Sequence, residues 1–212
     1  MQVESFVLGP FETNAFVVRR DVSSTACVVI DAGISAGPLV AYLEQQNLRP
    51  EAVLLTHGHA DHIEGVRLIR EHFADVEVVI HKADAVLLGD PTANVSALVG
   101  APLTVEPADV TLDGEGPIGY AGLTFHVLHT PGHTPGGVCY YCSEQNVVFV
   151  GDTLFAGSIG RTDFPGGNTE QLLDSIRRKL STLPEDTVVY SGHGPQTTIG
   201  CEKRHNPFLR GA

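Results

Sequence analysis

Thr56-His57-Gly58-His59-Ala60-Asp61-His62 follows the apolar run Val53-Leu54-Leu55. Three histidines and a carboxylate fall within seven residues at the end of a buried strand. Imidazole and carboxylate at this density suit a metal site of hydrolytic character. A short apolar run ending in a ligand-rich turn also points to a mixed α/β architecture, in which strand ends carry the site.

Three further apolar runs end in the same way. Val127-Leu128-His129-Thr130 leads through Pro131-Gly132 to His133, Val147-Val148-Phe149-Val150 through Gly151 to Asp152, and Val188-Val189-Tyr190-Ser191 through Gly192 to His193. Glycine at these junctions allows tight bends and close backbone approach. The candidate ligands are therefore His57, His59, Asp61, His62, His133, Asp152 and His193. Seven exceed the needs of one tetrahedral ion and suit two divalent cations sharing a carboxylate. Zinc leads, with iron and manganese as the other fits to an oxygen and nitrogen donor set. A water between paired cations loses a proton near neutral pH, which would supply a hydroxide nucleophile.

The 212-residue chain is 42% hydrophobic, enough for one domain with a full core, read here as 1–212. Its formal net charge of -12 argues against nucleic acid or an anionic membrane as partner. No apolar run approaches the length of a membrane span, and no basic-then-apolar leader opens the chain. Four cysteines do not make a disulfide framework, so a cytoplasmic location is expected. Oligomeric state is not legible.

Strands are expected at 2–8, 14–19, 26–31, 53–55, 76–80, 111–112, 123–128, 138–141, 147–150 and 187–190. Helices are expected at 35–47 with Ser35 as cap, 62–73, 83–88, 169–180 with Thr169 as cap, and 198–206. Residues 89–107 read as a long loop, and 151–167 as a glycine-rich one. Strands then helices recur in each half, which suits two packed sheets with helices outside.

Thr56 to His62 resembles the Thr-His-x-His-x-Asp-His signature of the metallo-β-lactamase superfamily. Residues 130–134, 151–155 and 191–194 resemble its later motifs, in order. The resemblance implies a four-layer αββα sandwich with two metals at one edge of the sheets. It implies that His57, His59 and His133 hold one metal, that Asp61, His62 and His193 hold the other, and that Asp152 bridges. An aspartate at 152 resembles the glyoxalase II branch. Residues 157–167 and 197–208 resemble short, single-domain glyoxalase II-like hydrolases, which lack the C-terminal helical domain that meets glutathione.

The implied activity is hydrolysis of a small-molecule thioester, S-D-lactoylglutathione or a related glutathione conjugate, with Asp61 both ligand and orienter of the hydroxide. The alternative is a persulfide dioxygenase using one iron on His57, His133 and Asp152, since that branch also carries Gly-Arg-Thr-Asp-Phe (160–164).

Three cations are candidate substrate contacts. Arg161 could meet a carboxylate, but an ion pair with Asp163 is favoured. Lys203 and Arg204 could meet an anionic substrate or sit solvated near a helix end. Asp31 could orient a ligand histidine or serve as an ordinary turn residue. Cys139 and Cys142, three apart on a strand, should face opposite ways and hold no metal.

Overall fold

The structure, a computed structural model, describes residues 1–209. The first sheet runs β1 (Gln2–Leu8), β2 (Thr13–Arg19), β3 (Ala26–Ile30), β4 (Arg49–Leu54), β5 (Glu77–His81) and β6 (Val110–Leu112) in spatial order. β1 to β3 are antiparallel and β3 to β6 parallel. The second sheet holds β7 (Gly116–Tyr120), β8 (Leu123–His129), β9 (Val138–Cys142), β10 (Val147–Gly151), β13 (Val188–Ser191) and β14 (Thr197–Thr198), ordered β14-β13-β10-β9-β8-β7. A small hairpin of β11 (Leu154–Phe155) and β12 (Ser158–Ile159) lies within the glycine-rich loop.

The helices are α1 (Gly37–Gln45), α2 (Ala60–Ile63), α3 (Val66–His72), α4 (Thr169–Ser175) and α5 (Ile199–His205). Strand alternation assigns them their layers. Along β3, Cys27 and Val29 pack with Leu39, Leu43 and Ile69 of α1 and α3, while Val28 and Ile30 face Phe125, Tyr140 and Phe149 of the second sheet. Along β10, Val148 and Val150 pack with Leu172, Ile176 and Ile199 on the far side. Three cores thus separate four layers, α, β, β and α. Cys139 and Cys142 do fall in different cores.

Local expectations needed correction in a few places. Ser35 does not cap α1: it sits at φ 65 and its N–H meets Glu64, while the cap position is Ala36 and Pro38 supplies the preset first turn. The expected helix 62–73 is two helices, broken at Gly65, whose N–H bonds the Ala32 carbonyl instead. Asn168 rather than Thr169 caps α4, accepting the Gln171 N–H, and the helix continues to Leu180 as a π turn. β7 was hidden by Gly116, Pro117 and Gly119, which an edge strand tolerates.

What matters for the site is where strands end. Thr56, just past β4, accepts the Val138 N–H of β9 through its carbonyl. Tyr140, fully buried between the sheets, donates its hydroxyl to the Leu55 carbonyl at 2.8 Å. The two sheets are therefore stitched together at the edge that bears the histidines.

Candidate metal centre

All seven expected ligands converge at that edge. The ligand atoms of His57, His59 and His133 lie within 4.8 Å of one another, and so do those of Asp61, His62 and His193. Asp152 touches both groups. Its Oδ1 is 3.3 Å from His62 Nε2, and its Oδ2 is 3.5 Å from His133 Nε2 and 3.6 Å from His193 Nε2. His193 Nε2 is 3.3 Å from Asp61 Oδ2.

Glycine makes this approach possible. Gly151 has φ +49, and a side chain there would strike Thr56. A side chain at Gly192 would strike Asp152 and come within 2.7 Å of the His62 ring.

Supporting bonds set the ring orientations. Thr56 donates its hydroxyl to Asp31 Oδ2 at 2.8 Å, so that it accepts from His57 Nδ1 at 3.1 Å. His62 Nδ1 donates to Asp31 Oδ2 at 2.9 Å. His133 Nδ1 donates to the Arg161 carbonyl at 2.7 Å. In each ring Nδ1 is engaged outside the cluster, so Nε2 is the nitrogen that faces inward and would be offered to a cation. Asp31, fully buried, thus orients a candidate ligand rather than merely closing a turn.

Whether a cation fits can be judged from what the cluster leaves unmet. Among the described residues, the buried side-chain nitrogens and oxygens without a hydrogen-bond partner are His57 Nε2, His59 Nε2, His62 Nε2 and Asp152 Oδ1. Buried polar atoms are rarely left unpaired. Here four of them face one another, and all are donors that divalent zinc or iron accepts. The residues present fit such an ion.

The two triads differ electrostatically. Burial, then the neighbouring imidazoles, pushes His59 down to about 3 and His57 well below its ordinary value. Burial also acts on His62 and His193, but Asp61 and Asp152 outweigh it and raise both. Burial would raise the Asp61 and Asp152 carboxyls, yet the histidines around them hold both well below the carboxylate range.

Several supporting residues lay outside the motif reading. Asp84, fully buried, accepts the Gly58 N–H at 3.0 Å, the Thr134 hydroxyl at 2.7 Å and the Gly136 N–H at 2.6 Å. It ties the turn carrying His57 and His59 to the loop carrying His133. Its placement three residues past β5 repeats the strand-end pattern that marked the ligands, and that signal could have found it. Thr13 donates to Asp61 Oδ2 at 3.0 Å, and Asn14 donates to the Ser191 and Gly194 carbonyls, both at 2.9 Å, pinning the turn at His193.

A cavity of about 430 Å³ opens above the cluster. His59, Asp61, His133, Asp152 and His193 reach it, under walls that include Phe11, Val95, Val99, Phe155, Ile159 and Phe164. Arg161 lines it too, forked onto Asp163 at 2.7 and 2.8 Å and lying 3.8 Å over the Phe164 ring. Lys203 and Arg204 do not line it. Both lie by Glu185, at 3.6 and 2.8 Å. No helix among the described residues is long and apolar enough to cross a membrane.

Residues 8–193 match the metallo-beta-lactamase superfamily. A probable metallo-hydrolase, YqgX of Bacillus subtilis, is 42% identical over 96% of this chain and 95% of its own. The hydroxyacylglutathione hydrolase GloC of Haemophilus influenzae is 38% identical over 99% and 98%. Among solved structures, the BLEG-1 B3 metallo-beta-lactamase superposes with a TM-score of 0.95 at 46% identity, covering 99% of this chain and all of its own. TTHA1623 in a di-iron-bound form gives 0.86 at 39%, covering 98% and 100%. The chain belongs to the metallo-beta-lactamase superfamily and is a metallo-hydrolase of it.

Proposed function

We propose that this superfamily member hydrolyses an acyl thioester of small-molecule size, with S-D-lactoylglutathione as the reference substrate. His57, His59 and His133 would hold one divalent cation and Asp61, His62 and His193 a second, with Asp152 between them. Zinc leads as the metal, and iron is the other candidate. Cations there supply charge that acidifies water and polarises a carbonyl. The observation that carries the reading is Asp152, whose carboxylate lies 3.5 Å from His133 of one triad and 3.3 and 3.6 Å from His62 and His193 of the other. The full-length likeness to a hydroxyacylglutathione hydrolase supports the thioester as substrate class.

The chain's own groups divide the remaining work. Asp61, held ionised by its histidine neighbours and steadied by the Thr13 hydroxyl, orients the attacking water. Neutral His57 and His59 offer lone pairs without having to lose a proton. Apolar walls keep bulk water from the reacting carbonyl and strengthen the electrostatics within. Arg161 keeps its fork on Asp163 and so shapes the rim, and its carbonyl holds His133 in place.

The test is turnover of S-D-lactoylglutathione by protein loaded separately with zinc and with iron, beside an Asp152→Ala control. Turnover no greater than that of the control removes the thioester assignment. Two parallel assays separate the rivals. Oxygen uptake with glutathione persulfide would instead favour one iron on His57, His133 and Asp152. Opening of a β-lactam ring would favour the activity named for BLEG-1.

A further inference from the structure

Val95 is held at φ 63, in the left-handed region. For a β-branched residue that is costly, and among the described residues no other β-branched side chain adopts it. Burial does not explain the strain. Val95 is only 8% exposed, yet it belongs to none of the three hydrophobic cores. What it lines is the cavity over the candidate metal centre.

The loop is built to hold it there. Asn94 is fully buried and donates its side-chain amide to the Leu87 and Leu103 carbonyls at 3.0 and 3.1 Å. Its side-chain oxygen accepts both the N–H and the hydroxyl of Ser96. The Asn94 carbonyl accepts the Ala60 N–H at 3.0 Å, between the candidate ligands His59 and Asp61. The strained residue is thereby coupled directly to the histidine-rich turn. Phe11 and Val99, 46% and 55% exposed, also line the cavity, which leaves apolar surface facing water at its mouth.

A thioester has two arms, and the walls of the cavity fall into two chemically different groups. The stretch that includes Ile159 and Phe164 also carries Arg161 and suits a thiol arm with polar or charged groups. Phe11, Val95 and Val99 offer no charge or hydrogen-bonding side chain. We infer that Val95, with Phe11 and Val99, forms a subsite for an apolar acyl arm, so that the enzyme prefers thioesters of longer hydrocarbon acids to lactoyl thioesters. This rests on the thioester reading above.

The experiment measures kcat/KM for acetyl, butanoyl and hexanoyl thioesters of one thiol, with S-D-lactoylglutathione as reference, on metal-loaded wild type and Val95→Asn. Asparagine tolerates the left-handed conformation and is close in size, but it is polar. The expected wild-type result is a rise of up to about fourfold per methylene, the effect of burying one CH2. Val95→Asn should flatten that series while melting no lower than wild type. A flat wild-type series, or an unchanged slope in Val95→Asn, overturns the subsite. A lower melting temperature with the slope retained assigns Val95 to packing and also overturns it. Lactoyl turnover with a flat acyl series leaves the thioester reading standing and removes only the subsite. Absence of turnover with every thioester removes both.

Discussion

The two triads use different means to gather similar ligands. His57, His59 and His133 form a buried all-imidazole group, in which burial keeps His57 and His59 neutral, held together from outside by Asp84 through backbone N–H groups and a threonine hydroxyl. Asp61, His62 and His193 include a carboxylate, and attraction among their own charges already draws them together. Asp31 meets His62 directly, whereas Asp84 touches no candidate ligand side chain. Groups that attract one another need orientation. Groups that do not attract need their loops tied down.

The largest expected effect comes from removing what the triads share. Asp152→Ala should lower kcat/KM by roughly a thousandfold or more, as loss of a group acting on transition-state charge does, and should cost bound metal. Metal analysis beside steady-state kinetics checks this. Full metal content with little kinetic loss would show the triads to be independent.

Next in size are the two supporting carboxylates. Asp31→Asn should weaken metal retention by about 10–100-fold, the usual cost of losing a partner behind a ligand, and Asp84→Asn, which acts only through loop backbone and Thr134, by less. The losses should fall mainly on different ions: Asp31→Asn on the carboxylate-containing triad through His62, with a weaker effect on His57 through Thr56, and Asp84→Asn on the all-imidazole one. Cobalt spectra recorded during stepwise loading distinguish them. The same ion lost in both variants would break the comparison.

The contrast in charge predicts opposite pH behaviour in metal-free protein. His59 titrates in the fold at about 3 against an ordinary 6.5, so its contribution to stability is whole above pH 6.5 and drains as pH falls towards 3. His62 and His193 are raised, so theirs is whole below about 6.5 and is lost as pH rises through their raised values. Imidazole NMR at pH 7 should find His59 neutral and His62 protonated. Melting temperatures of metal-free His59→Gln should fall less than those of wild type between pH 6.5 and pH 4.

The smallest effect is expected at Thr13. Thr13→Val removes one hydrogen bond to the ionised Asp61, worth about 1.5 kcal/mol, the low end for a charged acceptor, or roughly tenfold. If Asp61 orients water, the loss should appear in kcat with KM little changed.

How much of this was legible depended on range along the chain. The seven candidate ligands stood out because each follows an apolar run, and strand ends converge when strands share sheets. Caps were less readable. Ser35 and Thr169 have the right chemistry, but Ala36 and Asn168 have the right backbone position, and only folded geometry separates neighbours. Arg161 kept to the ion pair favoured from spacing, since Asp163 is two residues away. Lys203 and Arg204 did not reach the cavity; Glu185, some twenty residues earlier, lies beside both.

Local pattern was sufficient for the candidate ligands and for most of the strands and helices, because hydrophobic period and turn chemistry act between near neighbours, while the four layers were implied by the family resemblance. Tertiary structure decided which ligand faces which. It placed Asp152 between the triads, set Asp84 behind three imidazoles and brought Val95 over the cluster. Those pairings join residues tens of positions apart. They depend on sheet register and on which groups approach Gly151 and Gly192, and a local pattern shows the glycines but not their neighbours.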